Sequence, residues 1–327
     1  MNSGKAGIAY IDVFNGDADG ICALHQLRLQ EPHPEALLIS GVKRDITLLE
    51  QLTDVKNSVI TVLDISLDRN RDSLGEILAR GNKVFYVDHH FAGTIPSSDR
   101  LTTHLDPQPL TCTSLIINSL LQEKYSSWAV VGAFGDNLDE SAGQLANRLG
   151  FNVAETKQLK ETGILLNYNG YGANPADLFF PPDELFRQVQ PYTDPLVFHA
   201  DSSALQTLRS GYRDDMDKAM SFAPIHEDAN GRIFQLPPKP WARRVAGVFS
   251  NTLARNKPNL AHALLTANTD ASLRISVRAP LHDRTGADTL CRKFPTGGGR
   301  AAAAGVNELP ADQLDAFTKA FSLQFAG

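Results

Sequence analysis

The chain is poor in sulfur and has no long hydrophobic run. Its three cysteines, Cys22, Cys112 and Cys291, lie far apart in 327 residues and without metal-ligand spacing. That pattern fits reduced thiols and not a disulfide framework or a thiolate metal site. No apolar stretch reaches the length needed to cross a bilayer, so no membrane partner is expected. The opening residues, MNSGKAGIAYIDVF, lack the apolar core and small-residue cleavage site of a secretory leader, and a cytoplasmic protein is expected. Positive charge is not in excess either. A net charge of −6 argues against coating long duplex nucleic acid through bulk electrostatics, but leaves room for a small anion in a local basic pocket. The composition that remains, 42% apolar and 21% charged, suits a globular protein with a sizeable core, and the length predicts about two domains.

Short β-branched runs alternate with helical patterns. GIAYIDVFNG, EALLISG, SVITVLDIS and NKVFYVDHH read as strands, with helices at DGICALHQLRLQ and RDSLGEILARG. That rhythm predicts βαβ units and a parallel sheet. A helix follows at TCTSLIINSLLQE, behind Thr or Ser caps among Thr111 to Ser114, and SSWAVVGAFGDN reads as an apolar, small-residue segment. Helices continue at DESAGQLANRLG and VAETKQLKETGILL, and a polar connecting helix spans residues 203–222. Strands then resume at GRIFQL, AHALLTAN and SLRISVRA, with helices at ARRVAGVFSNTLA, ADTLCRKF and ADQLDAFTKAF. The expected organisation is an α/β domain at 1–202, a linker at 203–222 and a smaller α/β domain at 223–327.

Acids gather where strands end. FNGDADG places Asp17 and Asp19 just after the first strand, VLDIS places Asp64 after the third, and YVDHH places Asp88, His89 and His90 after the fourth. GAFGDN adds Asp136 behind another apolar segment. In parallel α/β sheets ligands bind at the carboxyl edge of the strands. Singly, each acid reads first as a turn or helix cap; jointly they suggest one polar edge. Carboxylates crowded together repel one another without a cation. Oxygen and imidazole ligands suit Mn²⁺ or Mg²⁺ better than Zn²⁺. Two such cations, bridged by a carboxylate, stabilise the attacking and leaving oxygens of a phosphoryl displacement. The expectation is a two-metal phosphoesterase.

NGDADG, VLDIS, VDHH and GAFGDN, in that order, resemble the four motifs of the DHH phosphoesterase superfamily, and SVRA followed by GGGRAAAAG resembles its C-terminal DHHA1 substrate-binding domain. The resemblance covers nearly the whole chain. The size is similar to that of the short members that degrade oligoribonucleotides, dinucleotides or nucleotide bisphosphates. It implies Asp17 as a ligand of a first metal, Asp19, His89 and Asp136 as ligands of a second, Asp64 as the bridge, and His90 as the contact to the scissile phosphate. It also implies catalytic roles for Asp64, His89, His90 and Asp136, an active site in the cleft between the domains, and in-line attack with no covalent enzyme intermediate. Asp88 is expected to orient His89 or to support the turn.

Two positions depart from that pattern. Val13 stands where many members carry a first-metal His, so that site would bind weakly, use water or borrow Asn15. Arg300 stands where the glycine run usually ends in His; an arginine can clamp a phosphate or stack on a base. Gly297, Gly298 and Gly299 would let backbone N–H groups approach an anion, with Arg278 and Arg300 as the basic partners and Arg274 a weaker one. NYNGYG offers Tyr168 or Tyr171 for base stacking, or is simply a turn-rich loop. The remaining histidines read as ordinary core or surface residues.

The expected activity is hydrolysis of short linear RNA, above all 5′-phosphorylated dinucleotides such as pGpG, with two Mn²⁺ per site and Mg²⁺ as the substitute. A single-strand exonuclease, a polyphosphatase or nucleotide-bisphosphate phosphatase, and a non-catalytic nucleotide sensor are the alternatives. A homodimer is left open.

Overall fold

β-branched residues that pack on both faces of a strand form the centre of the N-terminal unit of the computed structural model, which describes residues 9–268 and 270–326. Two compact units divide between Arg209 and Ser210. The first contains β1 (Tyr10–Asn15), α1 (Ala18–Gln30), β2 (Leu37–Gly41), β3 (Val59–Leu63), α2 (Leu67–Ala79), β4 (Lys83–Asp88) and β5 (Leu101–Leu105). Helices α3 (Thr113–Leu120), α4 (Ser126–Gly135), α5 (Asp139–Arg148), α6 (Val153–Gly170), α7 (Pro182–Val189) and α8 (Pro195–Asp201) complete it, and α9 (Ser203–Met220) spans the division. The first strand was expected from Gly7; Gly7, Ile8 and the residues before them lie outside the described part. The sheet has the order β2-β1-β3-β4-β5 and is parallel throughout. On one face Val13, Val62 and Tyr86 pack with Leu49 and, from α2, Leu74 and Ile77.

Three elements differ from expectation. The LTTHL sequence of β5 pairs with β4 as an edge strand whose side chains stay half-exposed, so it lacks the apolar signature of its neighbours. SSWAVVGAFG forms a helix, α4, buried nearly all round, with Trp128 fully buried in its first turn; such a helix has no polar face and no period to read. α6 runs on through NYNG to Gly170 and buries Tyr168 completely, against Phe179. Tyr168 therefore offers no surface for a base.

The same core sets an acid limit. His25, on α1, is fully buried, faces Trp128 edge-on and places Nε2 2.7 Å from the Tyr192 carbonyl oxygen. Burial lowers its pKa from 6.5 to about 4. Below pH 6.5 the unfolded chain takes up a proton that the fold excludes. Stability is therefore expected to fall as pH drops from about 6.5 to about 4, by up to ~3 kcal/mol from this one group. Urea unfolding across that range checks it: His25→Phe should flatten the slope, and an unchanged slope would assign the acid sensitivity elsewhere.

The second unit holds β6 (His226–Glu227), β7 (Gly231–Leu236), α10 (Pro240–Asn256), β8 (Ala261–Ala267), β9 (Leu273–Arg278), α11 (Ala287–Cys291), β10 (Gly297–Arg300), β11 (Ala303–Leu309) and α12 (Leu314–Phe325). Its sheet, ordered β10-β11-β9-β8-β7-β6, is mixed: β7 and β8 run parallel and the other pairs antiparallel. Ile275 and Val277 face a core closed by Leu290 of α11 and by Phe317 and Phe321 of α12. The glycine run is a paired strand and not a loop. At Gly297 a Cβ would overlap the Cys291 carbonyl oxygen, so packing requires that glycine. Arg300 pairs with Ala303, and Ala303 with Arg278, in one row across three strands. Directly paired residues share a face, so the two arginines lie on the same side with backbones about 10 Å apart. The neighbouring row on that side is Gly298–Gly305–Ser276, two of whose three residues have no side chain.

Candidate metal centre

The first turn of the site is built on Asn15 and Asp17. Asn15 Oδ1 accepts the Asp17 N–H at 3.2 Å, and Asp17 caps α1 by accepting the Asp19 and Gly20 N–H groups at 2.9 and 3.1 Å. A Cβ at Gly20 would overlap the Asn15 carbonyl oxygen, so the turn closes only over glycine. Asn15 thus shapes the turn, and its Nδ2 donates to the Lys43 carbonyl oxygen at 3.2 Å. Val13, in the place of the missing histidine, is fully buried in the sheet core.

Asp19 points away from that turn. Its two carboxylate oxygens accept the Thr113 and Ser114 N–H groups at 2.7 and 2.8 Å. It is therefore Asp19 that satisfies the start of α3, whose N-cap, Cys112, makes no capping bond of its own. The expected Thr or Ser cap gives way to a buried carboxylate, which suits the positive end of a helix dipole better than a hydroxyl.

Asp64 follows β3 in a left-handed conformation, with φ 59°, which Asp and Asn tolerate. Its Oδ1 accepts the Thr113 hydroxyl at 3.2 Å and lies 3.4 Å from His89 Nε2. His89 is oriented from behind by the Thr111 carbonyl oxygen, 3.1 Å from Nδ1. Asp88 does not orient His89: its Oδ1 lies 2.7 Å from His90 Nδ1. Residues two apart on an extended chain share a side, which explains why the acid serves the second histidine. Asp136 arrives from α4 and not from a strand; it caps that helix at its C-terminus and lies 3.8 Å from His89 Nε2. A carboxylate there opposes the helix dipole, so helix stability does not account for it.

Among the described residues, Asp64, His89 and His90 place one ligand atom each within 4.8 Å of one another. A borderline imidazole pair with a carboxylate suits a divalent cation, and the local charge calls for one. Burial, and then Asp19, Asp17 and Asp136, push the Asp64 carboxyl well above the usual carboxylate range. Burial also raises Asp136, against the pull of Lys43. Burial alone would lower the His90 imidazole, but the bond to Asp88 raises it overall. Asp88 Oδ2 is buried without a hydrogen-bond partner.

Lys43 was not foreseen. Its Nζ lies 2.6 Å from Asp17 Oδ2, 3.1 Å from Asn167 Oδ1 and 3.3 Å from Asp136 Oδ1, and 5.7 Å from the centre of the Tyr171 ring. Burial pulls the ammonium down in pKa, but Asp17, Tyr171 and Asp136 leave it well above its ordinary value. In turn Lys43 holds Asp17 below the usual carboxylate range against the effect of burial. The available signal was position alone: Lys43 follows β2 at the same carboxyl edge as the acids. Arg278, in the second unit, donates from Nε to Asn251 Oδ1 at 2.8 Å, and Arg300 is exposed.

No family model matches the sequence, and no curated protein matches it. The fold does match solved structures. A DHH-domain protein described as a member of a family of ribosomal proteins superposes with a TM-score of 0.65 at 12% identity, covering 97% of this chain and 86% of that one. The exonuclease RecJ bound to manganese gives 0.62 at 14% identity, over 98% and 91% of the two chains. The pGpG-specific phosphodiesterase PggH from Vibrio cholerae gives 0.51 at 11% identity, over 97% and 98%. The chain, with its five-stranded parallel sheet and second mixed sheet, shares the fold of these solved structures.

Proposed function

We propose that the protein is a divalent-cation-dependent phosphodiesterase that hydrolyses short linear oligoribonucleotides, above all 5′-phosphorylated dinucleotides such as pGpG, to mononucleotides. The observation that carries this reading is the convergence of Asp64, His89 and His90 within 4.8 Å, beside buried acids whose charges need a cation. Mn²⁺ is the proposed cation and Mg²⁺ its substitute. Bound there, a divalent cation polarises the phosphoryl group and neutralises charge developing on its oxygens.

The chain's own residues supply the rest. Asp64 and His89 hold the cation, with Asp136 beside them, and the Thr111 carbonyl oxygen sets the His89 ring. Asp88 fixes the His90 ring through Nδ1 and favours its protonated form, which leaves Nε2 to donate to a phosphate oxygen. In the domain at 223–327, Arg278 and Arg300 lie beside the glycine-rich row at Gly298 and are proposed to hold a substrate phosphate or base. Gly297 and Gly299 keep that strand in place. A net charge of −6 supports a short substrate over a long one. No described helix is long and apolar enough to cross a membrane, and a cytoplasmic location is part of the proposal.

The likeness of fold to RecJ favours a single-strand exonuclease as the second reading. Hydrolysis of 5′-phosphorylated RNAs of two to seven nucleotides, with Mn²⁺ and after chelation, separates the two. Dinucleotide turnover that chelation stops is the expected result. Turnover confined to longer strands would give the exonuclease reading instead, and turnover that survives chelation would sink both.

A further inference from the structure

We infer that this centre takes one divalent cation, not two, because the ammonium of Lys43 stands in the place of the second positive charge. The inference rests on the metal-dependent reading above and revises the expected pair of cations. An ammonium has three N–H donors, and Lys43 meets three oxygens, on Asp17, Asn167 and Asp136. Two of these belong to carboxylates expected to bind metal.

The lysine is held at both ends. Its backbone N–H donates to the Gly170 carbonyl oxygen at 2.9 Å, and its own carbonyl oxygen accepts from Asn15 Nδ2 at 3.2 Å. Asn15 is the residue that also shapes the Asp17 turn. Asn15 therefore ties the Lys43 backbone to the turn that presents the first carboxylate.

The carboxylate oxygens a further cation would meet already have hydrogen-bond partners, and of these partners the Lys43 ammonium is the one that carries a competing positive charge. Asp17 gives Oδ1 to two backbone N–H groups and Oδ2 to Lys43. Asp19 gives both oxygens to the start of α3. The imidazole that would complete a first site is replaced by the buried Val13. A dication bound between Asp17 and Asp136 would sit at hydrogen-bonding range from a like charge, and like charges at contact in a largely buried site repel. Asp64 and His89 are free of that conflict: neither touches Lys43, and their ligand atoms lie together with that of His90 within 4.8 Å.

Equilibrium dialysis of the full chain against MnCl₂, with bound manganese measured by atomic emission and by electron paramagnetic resonance, tests this directly. One Mn²⁺ per chain with a mononuclear spectrum is expected. In Lys43→Met, which keeps the length of the side chain and removes its charge, a second Mn²⁺ and a spin-coupled spectrum are expected. Two Mn²⁺ in the wild type, or a single Mn²⁺ still in a folded Lys43→Met, would overturn the inference while leaving metal-dependent hydrolysis intact. No bound Mn²⁺ in the wild type would remove the metal-dependent reading itself, and this inference with it. Should Lys43→Met fail to fold, the wild-type stoichiometry still decides, since two cations cannot coexist with the ammonium in place.

Discussion

Asp64→Asn is expected to reduce dinucleotide hydrolysis by a factor on the order of 10³, the scale of losing one preorganised charged group from an active site, without loss of the fold. The two side chains have nearly the same shape, and Asn tolerates the left-handed backbone that Asp64 adopts at φ 59°. Its amide oxygen can still accept the Thr113 hydroxyl, which lies 3.2 Å from Asp64 Oδ1. Without a cation the exchange should even stabilise, because burial and four neighbouring acids hold the Asp64 carboxyl well above its usual range and its ionised form is penalised. With Mn²⁺ the order should reverse. A ligand that binds only the folded state raises its stability, so the wild type should gain a thermal shift that the variant lacks. Asp64→Ala loses the same charge but should be about 1 kcal/mol less stable than Asp64→Asn, the cost of a left-handed residue without a short polar side chain. Turnover at the wild-type rate by purified Asp64→Asn would show that the site is wrongly assigned.

The largest effect on stability is expected from Arg28→Met, a loss of about 3–5 kcal/mol, the usual cost of removing one partner of a buried ion pair. Asp12 lies within β1, 1% exposed, on the face that α1 covers. Arg28 reaches it from α1 with two donors: Nε donates to Asp12 Oδ2 at 2.8 Å and Nη2 to Asp12 Oδ1. Nη2 also donates to Thr61 on the neighbouring strand at 3.1 Å, and Nη1 to the Glu31 carbonyl oxygen at 3.2 Å. One guanidinium thus joins β1, β3 and the end of α1. Without it the Asp12 carboxylate is left charged and dry. Replacing both, Asp12→Leu with Arg28→Met, should recover most of the loss, since a buried pair exchanged for apolar groups is often close to neutral. Urea unfolding of the single and double variants checks this. A single variant that loses under about 1 kcal/mol would mean that water reaches the carboxylate.

Local pattern carried much of the architecture. β1, β3 and β4 are runs of β-branched and aromatic residues buried on both faces, and such runs are recognisable without any partner. The acids Asp17, Asp64 and Asp88 lie at or just past the carboxyl ends of those strands, so their shared edge was readable from the parallel topology alone. What misled was context. α4 has no polar face, and its helical state depends on being surrounded. β5 contributes little to the core and shows little pattern. Tyr168 looked available in NYNGYG because nothing local says that α6 continues inward. The cap of α3 comes from Asp19, some 94 residues away along the chain, and no local pattern reports a partner at that distance.

The sequence by itself determined the parallel α/β arrangement, the order of the acidic and imidazole segments, and the kind of chemistry such segments support, because strand periodicity and ligand type are properties of neighbouring residues. Tertiary structure alone decided what each group does there. It turned Asp88 to His90, brought Asp136 in on a helix, gave Asp19 to α3 and set the Lys43 ammonium between Asp17, Asp136 and Asn167. The reason is physical: burial makes an unpaired charge costly, so each charged group takes whichever partner the folded chain brings within reach, and that partner is seldom its neighbour in sequence.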